Sequence, residues 1–247
     1  MACALLAVFA GASGGPVPQG AAPVVQTPLV RGFFARYIDC GGVGIRSSAA
    51  VTDAALQIAC AKVNMMLAAL PQARSELSAR GSELHVIGRD EGTSALPEHQ
   101  GERGKIYYDR TGKPMTLDQR TRGKGGGIYA SCGEENLLRL PTDRYRGGQD
   151  ICVHEFAHTI MAIGLSADQR KSIERQYADS MARGLWRDSY AANNEREFWA
   201  ELSMWYFGGH GDRRMAGDPP ADGREGLRRY DPDAYAVLDE IYRAPSP

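Results

Sequence analysis

The interpretation of this chain starts from one stretch, Ile151-Cys152-Val153-His154-Glu155-Phe156-Ala157-His158-Thr159-Ile160. Its many apolar residues, with no Pro or Gly before Gly164, predict one buried helix. On such a helix His154 and His158 are four residues apart and project from the same face. Two imidazoles so placed can hold one zinc ion, and the carboxylate of Glu155 can reach a water molecule beside that ion. The stretch therefore predicts a metal site that needs a third protein ligand.

A second stretch, residues 193–207, supplies that ligand. It begins with an Asn N-cap, ends before a Gly-Gly pair and is predicted to be a helix in which Glu197 and Glu201 are four residues apart. Glu197 can bind the metal and still leave one coordination position open for water. Glu201 can accept a hydrogen bond from the free N–H of a ligating imidazole. A solvated acidic face is the weaker alternative, because most of the other residues in this helix are apolar or aromatic.

Tyr190 precedes Glu197 by seven residues. Its phenol could donate a hydrogen bond to the oxyanion that forms when water attacks a carbonyl group. A tyrosine that only packs against its neighbours fits the composition equally well. The residues by themselves leave this choice open.

Together the two stretches resemble the gluzincin metallopeptidases that include anthrax lethal factor and the Pro-Pro endopeptidases. Their pattern is H-E-F-G-H followed by Y-x-x-x-N-x-x-E-F-F-A-E, and Trp199 is the one aromatic exchange in the second motif. The matched motifs cover about residues 150 to 205. A further segment, residues 131–138, resembles a wider set of secreted proteins with the same zinc pattern.

The resemblance implies an α+β, zincin-like fold: a small mixed sheet packed on a central HExxH helix, followed by a mainly helical C-terminal half. It also implies that His154, His158 and Glu197 bind one Zn²⁺ per chain. By the same resemblance Glu155 is the general base and Tyr190 assists the oxyanion, so both are candidate catalytic residues.

Peptide hydrolysis is the natural reaction of this set of residues. We expect a secreted zinc metallopeptidase that acts on a protein or peptide substrate, with Glu155 accepting a proton from the attacking water. A zinc amidase that hydrolyses a non-peptide or peptidoglycan amide is one alternative. A non-catalytic secreted binding protein on a zincin fold is the other.

The composition limits the possible partners. The 247 residues are 43% hydrophobic and 24% charged, which suits one globular domain with a sizeable core. A net charge of −1 gives no reason to expect nucleic acid or an anionic membrane as a partner. No apolar run approaches the roughly 20 residues that a membrane-spanning helix needs. We expect a monomer.

Residues 1–30 carry no charge. An apolar run at residues 2–10 precedes small residues with an A-x-A pattern at Ala10 and Ala12, which resembles the end of a secretory signal. Because a positively charged n-region is missing, the alternatives are a true start that lies upstream and a disordered tail. The expected organisation is a signal-like segment and flexible lead-in over residues 1–30 and a single metallopeptidase domain over residues 31–247.

Cysteine use agrees with an oxidising compartment. When Cys3 is assigned to the signal, an even number of cysteines remains, which is typical of secreted chains. Three pairings are possible, and we expect Cys40 to bond with Cys60 and Cys132 with Cys152. Four buried thiols are the alternative.

Hydrophobic periodicity, caps and turn residues predict the other elements. These are a helix from Thr52 to Pro71, a strand at Glu83–Gly88, a long surface loop over residues 89–127, short strands at residues 128–131 and 136–140, a helix from Ser166 to Ala182, and a last helix with Asp231 as its N-cap.

Overall fold

The structure is a computed structural model, and it describes residues 23–109, 111–145 and 148–243. Most of the expected signal-like segment lies outside these residues. Within the expected lead-in, however, Val25–Val30 form a strand that pairs with the next strand of the sheet. The sheet therefore begins before the boundary at residue 30, and the division into a lead-in and one domain stays a prediction.

In the described part of the chain, strands and helices both occur before residue 150, and the elements after it are helical. The strands are β1 (Val25–Val30), β2 (Phe34–Asp39), β3 (Gly44–Ser47), β4 (Glu83–Ile87), β5 (Tyr107–Tyr108), β6 (Pro114–Met115), β7 (Gly123–Lys124) and β8 (Tyr129–Gly133). The α-helices are α1 (Asp53–Met66), α2 (Pro71–Ala79), α3 (Leu117–Arg120), α4 (Glu134–Leu137), α5 (Ile151–Thr159), α6 (Ala167–Ala182), α7 (Glu195–Tyr206), α8 (Gly223–Tyr230) and α9 (Pro232–Tyr242).

One mixed sheet has the strand order β1-β2-β3-β4-β8-β7. Strands β3, β4 and β8 run parallel, and the outer pairs are antiparallel. Parallel neighbours need a crossover connection, which α1 and α2 provide between β3 and β4. β5 and β6 form a separate hairpin. The antiparallel strand β7 is thus one edge of the main sheet.

Helix α5 packs between the sheet and α7, with Val153, Phe156 and Ala157 buried in the core. Its first turn is held by two side chains. The Asp150 carboxylate accepts a hydrogen bond of 3.2 Å from the main-chain N–H of Val153, and the Asn136 Oδ1 atom accepts one of 2.9 Å from Ile151 N–H. Because the first four N–H groups of a helix have no partner within it, these bonds fix where the histidine-bearing helix begins.

Several sequence predictions are confirmed. The strand at residues 83–87, the Ser166 capping box of α6 and the Asp231 N-cap of α9 are all present. The α+β class, with a mixed sheet and a helical C-terminal half, is confirmed as well.

Other sequence predictions are wrong in detail. The first long helix ends at Met66, and Pro71 opens the separate helix α2, because proline fits the first turn of a helix. The central helix changes to a π-helix at Ile160–Gly164. The expected loop contains the β5–β6 hairpin, α3 and the edge strand β7.

The segment expected as a strand at residues 136–140 contains the end of helix α4 instead. Its polar side chains are used for buried contacts. Asn136 bonds to Asp143 and to the main chain at Gln149 and Ile151, and Glu135 forms a buried two-bond ion pair with Arg122 at 2.6 and 2.8 Å. The side chains of a helical turn also point in several directions, so Glu135 and Asn136 can reach different neighbours.

One of the two expected disulfides is present in the structure. Cys40 and Cys60 form a disulfide that joins the end of β2 to α1. Cys132 and Cys152 are both buried free thiols that hydrogen-bond to each other between β8 and α5. The expected second disulfide is therefore absent from this structure, although its two residues are neighbours.

No helix in the described part of the chain is long and apolar enough to cross a membrane.

Candidate metal centre

Three side chains from two helices converge on one point. The Nε2 atoms of His154 and His158 lie 3.2 Å apart, and each lies 3.2 Å from the Oε2 atom of Glu197. The two histidines come from α5 and the glutamate from α7, as the sequence predicts. The three atoms form an equilateral triangle, with Glu197 half-buried and His154 buried.

The triangle has the dimensions of a zinc site. Tetrahedral zinc with ligand bonds of roughly 2.0–2.1 Å places its ligand atoms about 3.3 Å apart. Three ligands from the protein leave a fourth position for water or substrate, as in catalytic zinc sites. The triangle of His154, His158 and Glu197 therefore fits zinc in both donor type and spacing.

Glu155 lies beside the triangle. Its carboxylate and the ring nitrogens of His154 and His158 lie within 4.8 Å of one another, so these groups alone also satisfy the spacing of a metal site. Glu197 is the better third ligand because one of its oxygens is 3.2 Å from both nitrogens. Glu155 then lies beside the three atoms without being one of them.

Hydrogen bonds hold helix α7 at two points near Glu197. The Asn194 side chain caps the helix and accepts hydrogen bonds of 3.0 Å from the N–H groups of Arg196 and Glu197. Farther along, Trp199 Nε1 donates a hydrogen bond of 2.9 Å to the carbonyl of Ala157, between the two histidines of α5. The capping bond holds the main chain of Glu197, and the indole bond holds the two helices together.

Glu201 lies behind His154. The Nδ1 atom of His154 is buried, makes no aligned hydrogen bond with any described residue, and lies 3.2 Å from Oε1 of Glu201. The other Glu201 oxygen accepts a hydrogen bond from the main-chain N–H of Asp212. The predicted role of Glu201, which is to orient the imidazole rather than to bind metal, agrees with this placement.

The charge around the triangle favours a cation. Burial alone lowers the pKa of His154, but Glu197 and Glu201 raise it well above the ordinary value. Burial opposes ionisation of Glu197, yet hydrogen bonds from His154 and His158 lower its pKa to about 2. Carboxylates thus outnumber positive groups at this point, which is a charge balance that a divalent metal ion would complete.

Glu155 has the environment of a proton acceptor. Its side chain is half-buried on α5, and burial raises its pKa above the ordinary value. A carboxylate of raised pKa is a stronger base, as general-base catalysis near neutral pH requires.

The edge strand approaches the same helix closely. A Cβ atom on Gly125, just after β7, would lie 2.1 Å from the carbonyl oxygen of Glu155. Only glycine permits this approach of the main chain to α5. Gly125 therefore brings the chain that follows the sheet edge next to the helix of His154 and His158.

Tyr190 opens a short 3₁₀ turn, Tyr190–Ala192, that packs against α7. Its ring centroid is 6.2 Å from that of His154. Burial, together with the charges of Glu197 and Glu155, raises the pKa of Tyr190 to about 12. The phenol therefore keeps its proton near neutral pH and can act as a hydrogen-bond donor beside the metal position.

Sequence reasoning missed the groups that hold Tyr190 in place. The main-chain N–H of Tyr190 donates to the Asp212 carboxylate, and four residues earlier the buried Trp186 anchors the same segment through a 2.8 Å bond to Asp231. Trp186 and Asp188 adopt positive φ values of 60° and 69°, which non-glycine residues seldom do. No sequence motif marks Asp212, because its partners lie 11 and 22 positions away.

Comparison of the sequence with protein-family models and with curated proteins finds no match. Among solved structures, the Pro-Pro endopeptidase from Paenibacillus alvei matches with a TM-score of 0.55 over 81% of this chain and 96% of that chain, at 14% sequence identity. A likeness at this identity concerns the fold. The chain has a mixed α+β fold of the zincin-like peptidase type.

Proposed function

We propose that this protein is a zinc-dependent peptidase that hydrolyses peptide bonds with Glu155 as general base. The observation that carries the proposal is the triangle of ligand atoms at 3.2 Å, with a carboxylate of raised pKa beside it. The zincin-like fold, shared with a Pro-Pro endopeptidase, supports the assignment.

His154, His158 and Glu197 would hold the zinc ion, which when bound would supply Lewis acidity that lowers the pKa of a water molecule to about 7 and polarises a carbonyl group. Glu155 accepts a proton from the water as its oxygen attacks the carbonyl carbon. The same carboxyl group then returns that proton to the leaving amine as the C–N bond breaks.

Tyr190 acts on the oxygen of the attacked carbonyl. Its protonated phenol donates a hydrogen bond to the negative charge that develops there. Glu201 acts on the metal ligand, because its carboxylate lies behind the imidazole of His154 and holds the ring in one orientation.

The sheet edge offers a path for an extended substrate. β7 is an edge strand, and the chain that follows it lies against α5 at Glu155. A peptide that adds to this edge as a further strand would pass the ligand triangle with its main chain. This arrangement favours a peptide over a small amide as the substrate.

The Cys40–Cys60 disulfide favours an oxidising compartment. We therefore propose that the enzyme acts outside the cytosol, on a protein or peptide. A zinc amidase with another amide substrate keeps the same ligand triangle, and the substrate experiment below separates the two functions.

The test is cleavage profiling of the zinc-loaded protein against a peptide library, with acyl-amide and peptidoglycan substrates in parallel. We expect peptide cleavage that is lost in Glu155→Gln at unchanged zinc content. Cleavage of only the acyl-amide or peptidoglycan substrates would support the amidase, and no turnover of any substrate would support a binding protein.

The ligand assignment has a matched control in the same helix. Glu197→Ala should lose zinc at low free metal, whereas Glu195→Ala, two residues earlier at the start of α7, should retain it. Full zinc occupancy in Glu197→Ala would show that Glu197 is not a ligand.

A further inference from the structure

We infer that Asp212 is a positioning residue that holds Tyr190 and Glu201 in place relative to the proposed metal ligands. Its side chain fixes the segment that carries Tyr190, and its main chain fixes the carboxylate behind His154. The catalytic part of this inference rests on the proposed function, whereas the structural part can be tested separately.

The contact with Tyr190 is made through the main chain. Asp212 is only 6% exposed, and its Oδ2 atom accepts a hydrogen bond of 3.0 Å from the N–H of Tyr190. That N–H belongs to the first residue of a 3₁₀ turn, where no turn carbonyl is available to accept it. The carboxylate therefore fixes the start of the turn and, with it, the position from which the Tyr190 side chain leaves the main chain.

In the contact with Glu201, Asp212 is the hydrogen-bond donor and not the acceptor. The main-chain N–H of Asp212 donates to Glu201 Oε2, while Glu201 Oε1 lies 3.2 Å from His154 Nδ1. One residue is thus bonded both to the segment of the expected oxyanion donor and to the group that orients a metal ligand. Movement of Asp212 would disturb both groups.

The loop that carries Asp212 is built to lie close to Glu201. A Cβ atom on Gly211 would lie 2.3 Å from Glu201 Oε2 and 2.3 Å from Trp205 Cζ3, so only glycine fits there. The chain is also held two residues earlier, because Gly209 N–H donates to the Met204 carbonyl at 2.9 Å. The close approach is therefore a fixed feature of the loop.

A surface ion pair does not explain the burial of Asp212. Arg214 does bond to its Oδ1 atom at 2.9 Å, but the Arg214 side chain is 84% exposed. Exposed ion pairs contribute little to stability, whereas a buried carboxylate is costly unless it is hydrogen-bonded. Arg214 also bonds through its main-chain N–H to Oδ1 at 3.0 Å and through its guanidinium to Oδ2 at 3.3 Å, so the bond from Tyr190 N–H is the contact that joins the carboxylate to the 3₁₀ turn.

The structural test is amide hydrogen exchange in the zinc-loaded full chain. In Asp212→Ala we expect exchange at Tyr190–Ala192 to become at least about tenfold faster, which corresponds to the loss of roughly 1.4 kcal/mol of protection, with α5 unchanged. Arg214→Ala is the control and should leave the exchange of this segment unchanged. If Arg214→Ala reproduces the effect, or if Asp212→Ala leaves exchange at Tyr190 unchanged, the inference is wrong.

The functional test is a double-mutant cycle with Tyr190→Phe. Asp212→Ala should lower kcat by roughly 10–100-fold with little change in KM, and it should cost much less when Tyr190 is already Phe. An equal cost in both backgrounds would mean that Asp212 does not act through Tyr190.

Two further variants cover the case in which Asp212→Ala does not fold. Asp212→Asn keeps one of the two acceptor oxygens and should give a smaller change in the same direction in both assays. Gly211→Ala should push the loop away from Glu201 and weaken zinc binding. Wild-type exchange and wild-type zinc affinity in these two variants would reject the inference. Absence of turnover in the wild type would reject only the proposed function, because the exchange result does not depend on it.

Discussion

The indole Nε1 of Trp199 donates a hydrogen bond of 2.9 Å to the main-chain carbonyl of Ala157. Ala157 lies between His154 and His158 in the sequence, and Trp199 follows Glu197 by two residues. The indole is fully buried and stacks on Tyr242 with a centroid distance of 4.8 Å. This contact joins the helix that carries the two histidines to the helix that carries Glu197.

The contact can be tested by replacing Trp199 with phenylalanine, the residue that the related pattern carries at this position. Trp205→Phe is a matched control, because Trp205 lies in the same helix, is equally buried, and its Nε1 atom has no hydrogen-bond partner among the described residues. Trp199→Phe should cost more stability than Trp205→Phe by about 1 kcal/mol, the contribution of one hydrogen bond. Urea unfolding measures both costs, and equal values would contradict a role for the bond.

Glu201 is predicted to orient His154 without binding the metal. Glu201→Gln should keep one zinc per chain but weaken its binding by roughly 10–100-fold, because the amide accepts less strongly from the imidazole N–H. Competition with a chelator of known affinity measures the change. Unaltered affinity would leave the 3.2 Å approach of Glu201 to His154 without a functional role.

Glu155 and Tyr190 are predicted to act on catalysis rather than on folding. Glu155→Gln should leave zinc content and Tm nearly unchanged and lower the rate by at least 10²-fold, as loss of a general base typically does. Tyr190→Phe should lower kcat by roughly 10²-fold with little change in KM. Steady-state kinetics on a peptide found by profiling makes the measurement, and wild-type turnover in Tyr190→Phe would mean that this tyrosine only packs.

The four-residue spacing of His154 and His158 was enough to predict that both lie on one face of a helix, because helical periodicity determines which side chains share a face. Glu197 lies on another helix, so its place beside them was expected from the resemblance and not from periodicity, and the role of all three as metal ligands stays a prediction. Caps such as Ser166 and Asp231 were predictable for the same local reason. Long-range contacts were not. The bonds that Asp212 makes to residues 11 and 22 positions earlier depend on how the loop after α7 folds back, and no local pattern encodes that path.

The segment at residues 131–138 shows a second limit of sequence reasoning. Part of it was expected to be a strand, but a short run of mixed residues does not distinguish a strand from a helix. In the structure Asn136 supports the first turn of α5, and Glu134 accepts hydrogen bonds of 3.0 and 2.8 Å from Thr52 at the start of α1. The segment therefore holds the starts of helices α1 and α5 in place, and none of its residues belongs to the triangle of His154, His158 and Glu197.

The cysteines give a prediction that replaces the expected second disulfide. Cys132 and Cys152 should react with an alkylating reagent only after unfolding, because both are buried and burial raises the pKa of the Cys132 thiol. Cys40 and Cys60 should react only when the protein has been both unfolded and reduced. Peptide mapping by mass spectrometry decides the matter, and a Cys132–Cys152 bridge in the unreduced protein would restore the original expectation.

The most direct test of the central claim is zinc titration of the metal-free protein with peptide cleavage measured at each step. The ligand triangle of His154, His158 and Glu197 predicts that activity is absent without metal, rises in proportion to added zinc and saturates at one ion per chain. Glu155→Gln should bind the same single ion and stay inactive. Two results would contradict the account: full peptide cleavage by the metal-free protein, or saturation of activity at a zinc content other than one ion per chain.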